Sequence, residues 1–497
     1  MTRPVLWTDE QISAATQANC TAPFTVSGVS IDTRSLEPGD LFVALPGSGR
    51  DGHDFVDAAF AAGATAALVC RGKIDTKKAA DMQGALVEVD DVPAALEALA
   101  HAARARSSAY ITAVTGSVGK TSVKEALRLA LSKSGATFAS EKSFNNHIGV
   151  PLSLARMPQD CAYGVFEVGM NHAGEIDALV RMVRPHCAII THVGTAHIEH
   201  FDSEADIARA KGEIFNHMAD DVPGDLLEGG TVIIPADNPH IDLLVELADA
   251  RSIKDIRRFS TDGTATASEP PHIVANKIYL HETCSCVSGR IGDAEVTFKV
   301  GTPGAHHVSN SLAVLGAVQA AGADLALAAL SLAEVEALSG RGRRHVLDVA
   351  GGPCVLIDES YNANPASMSA AIKALGLVPR LGQGRRIAVL GDMAELGAAS
   401  KDLHMDIAGL MDTVDIDLVF SCGPEMAHMF AHLPPDRRGI HAPSTDALTN
   451  ILQAEIHAGD VVMVKGSHAS RMNRVVDALL EADTARAGQE EEQRDAV

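Results

Sequence analysis

The most constraining stretch of the chain is a glycine-punctuated segment, Thr115–Ser122, with the sequence Thr-Gly-Ser-Val-Gly-Lys-Thr-Ser. A short apolar run ends at Val114 and a helical pattern begins at Val123, so the segment connects a buried strand to a helix. Small residues let consecutive backbone N–H groups turn toward an anion, and the helix N-terminus adds a partial positive charge. Such a loop predicts a site for the phosphates of a nucleotide.

Two side chains of this loop can act on a nucleotide directly. Lys120 can reach the terminal phosphates, and the hydroxyl of Thr121 can join the oxygen shell of a magnesium ion. Val114 occupies the place of the first glycine in the G-x-x-x-x-G-K-[ST] pattern, so the loop is a variant. An ordinary glycine-rich turn with a surface lysine is the alternative, but the flanking strand and helix favour nucleotide binding. The loop residues predicted to bind the nucleotide are Gly116, Ser117, Gly119, Lys120, Thr121 and Ser122.

The composition of the chain narrows its partners and its compartment. It has 41 Lys and Arg residues against 64 Asp and Glu residues, and the net charge of −23 argues against non-specific binding to nucleic acid or to an anionic membrane. Its eight cysteines lack C-x-x-C spacing, which is typical of reduced thiols. No apolar run reaches roughly 18 residues, and Met1–Glu10 lacks the pattern of a signal peptide. We therefore expect a cytoplasmic protein without membrane insertion and without a nucleic-acid partner.

The length of 497 residues exceeds what one hydrophobic core supports and predicts about three domains. Strand and helix signals alternate along the chain, which predicts an α/β fold. We expect a small N-terminal α/β domain, a central P-loop ATPase-like domain with a parallel sheet, and a C-terminal Rossmann-like doubly wound domain. The predicted boundaries are 1–106, 107–345 and 346–483, followed by a charged tail, 484–497, that is expected to be disordered.

Polar side chains follow two apolar strands of the predicted central domain. Glu167 lies near the end of the run 161–168, and His197 follows the run 188–193. Ligands of an open α/β sheet bind beyond the carboxyl ends of its strands, so both side chains are expected near the phosphate loop. Taken singly, Glu167 is equally typical of a partner for a helix N-terminus, and His197 of an ordinary loop histidine. Together they predict a site for a magnesium nucleotide, with the histidine as a second cation position.

Three other residues have only local signals. Lys211 lies close to a glutamate in a helical pattern, which is usually a solvated surface. Asn310 opens a helix, where it can either cap the N-terminus or recognise a base. Arg34 could bind a phosphate, although a lone arginine is more often part of a surface ion pair.

The C-terminal domain carries polar segments at the ends of three predicted strands, namely 358–365, 391–397 and 465–472. A nucleotide site between two flanking α/β domains fits an enzyme that closes on three substrates. Such an enzyme can use ATP to convert a carboxylate to an acyl phosphate, which an amine then attacks in a site that excludes water. The residues alone predict no more than an ATP-dependent enzyme.

Several motifs, in combination, resemble those of the Mur ligases of bacterial cell-wall synthesis. They are the loop 115–122, the segment 167–170, His197 followed by Lys211, Gly304-x-His306-x-Val308-x-Asn310, and the segment 358–365. Within the family, the segments 361–365, 391–397 and 465–467 are similar to those of the member that adds D-alanyl-D-alanine to UDP-N-acetylmuramoyl-tripeptide. The resemblance extends from Ser30 to Met472.

The resemblance implies an ADP-forming amide ligase with UDP-N-acetylmuramoyl-tripeptide and D-alanyl-D-alanine as substrates, an acyl-phosphate intermediate and the pentapeptide as product. It implies ATP, two magnesium ions and a monomer. The alternatives are another ligase of the family, either one that adds the third residue or a folylpolyglutamate-like one, and a non-catalytic nucleotide-binding module.

The resemblance also implies roles for individual residues. Thr121 and Glu167 would hold one magnesium ion, His197 a second, and Lys211 would be a carbamylated lysine that supplies a further oxygen ligand. The implied catalytic residues are Lys120, Lys211, His197 and Glu167. The implied nucleotide contacts outside the loop are Asn310 on adenine, Asp358, and Arg343 or, as the second choice, Arg341. The implied substrate contacts are Ser30, Asp32, Thr33 and Arg34 on the uridine nucleotide, Lys142, Asn145, Asn146 and His147 near the muramoyl peptide, and Tyr361, Asn362, Asn364 and Lys465 on the dipeptide side.

Overall fold

Three mixed β-sheets follow one another along the chain and organise the fold. Among the described residues they contain five, nine and six strands, and a separate two-stranded ribbon lies near the N-terminus. The computed structural model describes residues 3–47, 49–75, 82–141, 143–219, 229–262 and 271–495. Most strands of each sheet are parallel, and most of the described connections between parallel strands contain a helix, as expected for α/β units.

The N-terminal sheet has the strand order β2-β7-β6-β5-β4, and only β2 is antiparallel to its neighbour. Its central strand is buried on both faces because it is a continuous apolar run, Ala66–Cys70. The elements of this unit are β1 (Trp7–Thr8), α1 (Asp9–Thr16), β2 (Asn19–Cys20), β3 (Thr25–Val26), β4 (Gly28–Ser30), β5 (Asp40–Val43), α2 (Val56–Ala61), β6 (Ala66–Cys70), β7 (Ala85–Val89) and α3 (Val92–Arg106).

The central sheet has the order β16-β15-β14-β13-β12-β11-β8-β10-β9. Neighbouring strands are parallel from β9 to β14, and β15 is antiparallel to both β14 and β16. Its first elements are β8 (Tyr110–Thr115), α4 (Lys120–Ser132), β9 (Thr137–Ala139), α5 (Gly149–Arg156), β10 (Tyr163–Glu167), α6 (Glu175–Val183), β11 (Cys187–Ile190) and α7 (Glu204–Gly212). The remaining elements are β12 (Thr231–Pro235), α8 (Ile241–Asp249), β13 (Asp255–Ser260), β14 (Ile273–Leu280), β15 (Ser285–Ile291), β16 (Ala294–Val300), α9 (Ala305–Ala320) and α10 (Leu325–Ser331).

The C-terminal sheet has the order β17-β18-β22-β19-β20-β21, and only β17 is antiparallel to its neighbour. Its elements are β17 (Arg343–Val349), β18 (Gly352–Glu359), α11 (Pro365–Leu377), β19 (Arg386–Gly391), α12 (Ser400–Met411), β20 (Leu418–Cys422), α13 (Pro424–His432), β21 (Arg438–Ala442), α14 (Thr445–Glu455), β22 (Val461–Lys465) and α15 (Asn473–Asp495).

The predicted α/β fold with three sheet units is confirmed. The C-terminal end differs from the prediction of a disordered tail at 484–497, because helix α15 continues through this segment to Asp495. The segment is rich in Ala, Glu, Gln and Arg, which have high helix propensity, and the beginning of α15 is fixed on the sheet by the buried residues Val475 and Val476. Within the described ranges, no helix combines the length and the apolar character needed to cross a bilayer.

Candidate active site

The phosphate loop lies between β8 and α4, and its two glycines are in backbone conformations that other residues rarely adopt. Gly116 has φ +150° and Gly119 has φ +84°. A Cβ atom on Gly119 would lie 2.8 Å from Oδ1 of Asn310. Asn310 lies in the second turn of α9, which begins at Ala305, so the alternative that it caps the helix N-terminus is wrong. The second glycine is therefore required both by the backbone turn and by the close approach of the asparagine.

Neighbouring residues after β11 hold the loop in place. The Thr191 hydroxyl donates to the carbonyl oxygen of Val118 at 2.5 Å, and the Ser117 hydroxyl donates to that of Gly194 at 3.1 Å. The backbone N–H of Ser117 donates to the carbonyl oxygen of His192 at 2.8 Å. These bonds form because β11 pairs with β8, so the segments that leave the two strands run side by side. Thr191 is a residue of the site to which sequence reasoning assigned no role.

Lys120 is the first residue of α4, and its ammonium lies over the loop. Nζ donates to the carbonyl oxygen of Gly116 at 2.7 Å. Burial lowers the pKa of Lys120, an effect that Glu167 opposes and Arg341 reinforces. The side chain lines the cavity described below, where a phosphate could take the place of the carbonyl oxygen as the partner of Nζ.

Glu167, the last residue of β10, is a buried carboxylate that contacts neutral donors. It is 1% exposed. Oε2 accepts from the hydroxyl of Thr121 and Oε1 from the side-chain amide of Asn145, each at 2.7 Å. Within the described part of the chain, no cationic side chain forms an ion pair with it. A hydroxyl and a carboxylate oxygen without a contacting cation are a donor set that fits Mg²⁺.

Lys211, in helix α7, is buried, which corrects the local interpretation of a solvated surface lysine. It is 1% exposed because the neighbouring residues Ala208 and Ala210 are packed into the core of the central unit. Among the described residues, none forms a hydrogen bond or ion pair with its amine. Burial, with a smaller contribution from Lys120, holds the pKa of Lys211 well below its usual range. The neutral amine is therefore favoured far more than in a surface lysine.

A cavity of about 620 Å³ lies between the central and C-terminal sheets, in front of the phosphate loop. Most of the predicted central and C-terminal site residues line it. These are Ser117, Gly119, Lys120, Ser122, Asn145, Asn146, Glu167, His197, Asn310, Tyr361, Asn362, Asn364 and Lys465. The predicted residues outside its lining are Gly116, Thr121, His147, Lys211, Arg343, Asp358, Ser30, Asp32, Thr33 and Arg34. Lys142 lies outside the described residues.

The structure does not place the preferred arginine, Arg343, at the cavity; Arg341 lines it instead. Gly340 and Gly342 have φ +74° and φ +93°, so the chain turns on both sides of Arg341. Its guanidinium stacks over the ring of Tyr361, with Cζ 4.2 Å from the ring centroid. Arg343 begins the edge strand β17, and its side chain is exposed.

Asp358 was expected to contact the nucleotide, but in the structure it lies behind this turn. It is 2% exposed, and its carboxylate accepts from the backbone N–H of Gly340 at 2.6 Å and from the hydroxyl of Ser360 at 2.6 Å. In this structure its acceptor oxygens stabilise the turn that carries Arg341. The predicted direct contact of Asp358 with the nucleotide, across the gap between the central and C-terminal domains, is therefore not supported, because its carboxylate is buried and lies outside the cavity lining.

The dipeptide-side residues form a connected group at the ends of β18 and β22. Nζ of Lys465 donates to the carbonyl oxygen of Asn362 at 3.0 Å and lies 3.4 Å from Oε2 of Glu359. Asn364 caps α11 by accepting from the backbone N–H of Ser367 at 2.9 Å. Glu359, a cavity residue, is one that sequence reasoning missed.

The predicted uridine-site residues lie at the end of β4 and directly after it in the N-terminal unit. Ser30 is buried, and its hydroxyl donates to the carbonyl oxygen of Asp32 at 3.1 Å. The guanidinium of Arg34 forms an ion pair with Asp32 at 2.6 Å and is largely exposed. Asn146 lies in a different segment, where its side chain accepts from the backbone N–H of Gly149 at the start of α5. The structure thus keeps the uridine group apart from the cavity.

Comparison with known protein families gives three matches in chain order. Residues 25–107 match the family model described as Mur ligase family, catalytic domain; residues 114–318 match the Mur ligase middle domain; and residues 342–468 match the Mur ligase, glutamate ligase domain. The matched stretches cover, one after another, the N-terminal, central and C-terminal sheets.

Two curated relatives match over nearly the full chain. The UDP-N-acetylmuramoyl-tripeptide–D-alanyl-D-alanine ligase of Escherichia coli (strain K12) is 35% identical over 467 residues, which are 93% of this chain and 96% of that protein. The protein of the same name from Bacillus subtilis (strain 168) is 32% identical, over 92% of this chain and 94% of that protein.

Two solved structures have the same arrangement of elements over most of their length. A crystal structure of MurF from Acinetobacter baumannii has a TM-score of 0.78 at 27% identity and covers 96% of this chain and 99% of its own. The structure of MurF ligase from Thermotoga maritima in complex with ADP has a TM-score of 0.73 at 25% identity and covers 92% and 98%.

Proposed function

This chain belongs to the Mur ligase family, and from that premise we propose that it adds D-alanyl-D-alanine to UDP-N-acetylmuramoyl-tripeptide at the expense of ATP. The observation that carries the proposal is one cavity lined by the phosphate loop, by Glu167 and by the polar ends of β18 and β22. It provides neighbouring places for a nucleotide, an activated carboxylate and an incoming amine. The likeness to ligases of this activity over nearly the whole chain supports this choice of substrates.

The first chemical step joins the tripeptide to the phosphate. A terminal carboxylate oxygen attacks the γ-phosphorus of ATP, the bond from phosphorus to the bridging oxygen breaks, and ADP leaves with that bond's electron pair. In the second step, the dipeptide amine attacks the acyl carbon, phosphate leaves with the former carboxylate oxygen, and the amine gives up a proton. Lys120 contributes by holding negative charge on the γ-phosphate.

Metal binding is assigned to the oxygen donors next to the loop. Thr121 and Glu167 would hold one Mg²⁺, because their oxygens are adjacent and the buried carboxylate has neutral partners. His197, which lines the same cavity, would hold a second. When bound, Mg²⁺ neutralises charge on the phosphate oxygens.

Lys211 is proposed to be carbamylated by carbon dioxide. Its neutral amine, favoured by burial, can form a bond from Nζ to the carbon of CO₂ while one N–H proton leaves. The product is an anionic oxygen donor in place of a buried amine without a partner. The carbamate would supply a further oxygen ligand for Mg²⁺. Lys120 is near enough for its positive charge to lower the pKa of Lys211.

Substrate contacts are assigned from the three sheet units, with proposed domain boundaries near residues 106 and 345. The N-terminal unit would hold the uridine nucleotide, Asn310 the adenine and Arg341 the phosphates. We place the reaction in the cytoplasm, where ATP is available, and propose that the enzyme acts as a monomer. The residues proposed to contact the muramoyl peptide and the dipeptide are Asn145, Asn146, His147, Tyr361, Asn362, Asn364 and Lys465.

An ADP-release assay tests the proposed substrates. The purified chain is given ATP, Mg²⁺, UDP-N-acetylmuramoyl-tripeptide and either D-alanyl-D-alanine or single amino acids. We expect ADP release with the dipeptide at a rate at least tenfold above that with any single amino acid. If ADP were released only with a single amino acid (diaminopimelate, lysine or glutamate), the chain would instead be another ligase of the family.

A further inference from the structure

The loop after β19 reaches across to the central unit and contacts the proposed metal ligand His197. This loop contains Glu395, whose Oε2 lies against Nδ1 of His197. The backbone N–H of Glu199 donates to the carbonyl oxygen of Glu395 at 3.2 Å. The contact therefore joins two sheet units through both a side chain and the backbone.

The contact is built from residues in uncommon backbone conformations. His197 has φ +68° and Glu395 has φ +61°, in the left-handed region that non-glycine residues rarely adopt. Gly397 has φ +56°, and a Cβ atom there would lie 3.3 Å from Glu199. Such conformations persist when the surrounding structure holds them and tend to occur at functional sites.

Both sides of the contact are anchored in packed structure. Met393 and Leu396, which flank Glu395, are buried in the core of the C-terminal unit. Ile198, next to His197, packs against the same core although it belongs to the central unit. The carboxylate is thus held at the imidazole from a fixed loop.

The contact with Glu395 is made at Nδ1, so Nε2 is the ring nitrogen of His197 that remains outside it. A neutral imidazole whose N–H faces the carboxylate at Nδ1 would present the lone pair of Nε2 to a cation. A histidine that binds a metal through one nitrogen usually donates the other N–H to a carboxylate or a carbonyl, which fixes its tautomer and strengthens the ligand. Glu395 supplies that carboxylate from a different unit of the chain.

We propose that Glu395 is a positioning residue for the cation site, which holds His197 with Nε2 available and couples cation affinity to the docking of the C-terminal unit. The inference rests on the proposed role of His197 as a metal ligand. The proposed reaction assigns no role to the segment 391–397, and the positioning of His197 by Glu395 would be its role.

The test is a Mn²⁺ titration of the full chain with saturating ADP, in which electron paramagnetic resonance reports free Mn²⁺. The variants are Glu395→Gln, His197→Ala and, as the matched control, Glu199→Gln, a neighbouring residue that bonds to Glu395 through its backbone N–H and not through its carboxylate. Hydrogen exchange of the amides in 195–201 shows in each variant whether the two units remain docked.

We expect Glu395→Gln to weaken the weaker of two Mn²⁺ sites about tenfold, His197→Ala to remove that site, and Glu199→Gln to leave it unchanged. Unchanged Mn²⁺ affinity in Glu395→Gln, with the site lost in His197→Ala, would overturn the positioning role and keep the metal role of His197. Unchanged affinity in both variants would remove the metal role of His197 itself, and the proposed reaction would still stand on the ADP-release assay.

Discussion

At the scale of single residues, Lys120, which lines the cavity, and Lys211, which lies outside its lining, have different surroundings. Nζ of Lys120 donates to the carbonyl oxygen of Gly116, whereas the amine of Lys211 has no hydrogen-bond or ion-pair partner in the part of the chain that the structure describes. Burial lowers the pKa of both, and that of Lys211 more strongly. The first is thus poised for an incoming phosphate and the second for reaction with an electrophile such as carbon dioxide.

Replacement of Lys211 tests this difference. Lys211→Ala should lower kcat by at least 100-fold, because the proposed carbamate oxygen is lost, and a short-chain carboxylate added in excess should restore part of the rate. Arg209→Ala, on the exposed side of the same helix, is the matched control and should keep full activity. Full turnover of Lys211→Ala without an added carboxylate would exclude a carbamate at this position.

The sequence was most reliable for residues whose role lies in the main-chain pattern. The phosphate loop and Glu167 could be located because continuous apolar runs mark buried strands, and neighbouring parallel strands end at one edge of the sheet. Arg341 could not be told from Arg343, because only the two glycine turns determine which arginine faces Tyr361. The burial of Lys211 depends on how its helix packs against the core, and a lysine near a glutamate in the sequence does not indicate that packing.

At the scale of elements, the phosphate loop depends on its contact with helix α9. Gly119→Ala would place a Cβ atom 2.8 Å from Oδ1 of Asn310 and would strain a backbone with φ +84°. We expect ATP affinity to fall at least tenfold in isothermal titration, with thermal unfolding nearly unchanged. Gly409→Ala, in helix α12 with open space around it, is the control and should bind ATP normally. Unaltered ATP affinity in Gly119→Ala would show that the loop adopts another conformation.

An ion pair between Arg385 and the buried carboxylate of Asp460 joins the starts of β19 and β22 in the C-terminal sheet. Asp460 is 1% exposed and accepts from Nη2 of Arg385 at 2.7 Å and from the backbone N–H of His457 at 2.9 Å. Burial alone would raise the pKa of Asp460, but these hydrogen bonds outweigh it and hold the pKa below its ordinary value. The ionised carboxylate therefore stabilises the fold above the unfolded pKa of about 3.9, and this stabilisation is lost as the pH falls through the folded pKa.

Asp460→Asn should destabilise the C-terminal sheet by about 2 kcal/mol at pH 7, because the buried carboxylate loses its charge-assisted hydrogen bonds from Arg385. The difference from the parent chain should be constant from about pH 5 to 8 and should shrink below about pH 4. Hydrogen exchange of the β19 and β22 amides measures it. Asp415→Asn, at an exposed ion pair, is the control and should change stability by less than about 0.5 kcal/mol. A loss that is the same at pH 3 and pH 7 would contradict the ionic origin.

At the scale of the whole molecule, the cavity between the second and third sheets determines what the chain can do. The α/β class and the three sheets could be predicted because alternating strand and helix signals and length are local properties of the sequence. The contact between His197 and Glu395 could not, because the two residues are far apart in the chain and meet only when two sheet units pack together. The C-terminal segment also differs from its prediction. Its high charge predicted disorder, but its residues have high helix propensity and form a helix to Asp495.

The central claim is that ATP activates the tripeptide carboxylate as an acyl phosphate inside this cavity. Transfer of oxygen-18 tests it most directly. UDP-N-acetylmuramoyl-tripeptide labelled in its terminal carboxylate is incubated with ATP, Mg²⁺ and D-alanyl-D-alanine, and the released phosphate is analysed by ³¹P NMR and mass spectrometry. Lys120→Ala, which should release no phosphate, serves as the control. We predict one oxygen-18 atom in each phosphate formed together with the pentapeptide; pentapeptide accompanied by unlabelled phosphate would contradict the account.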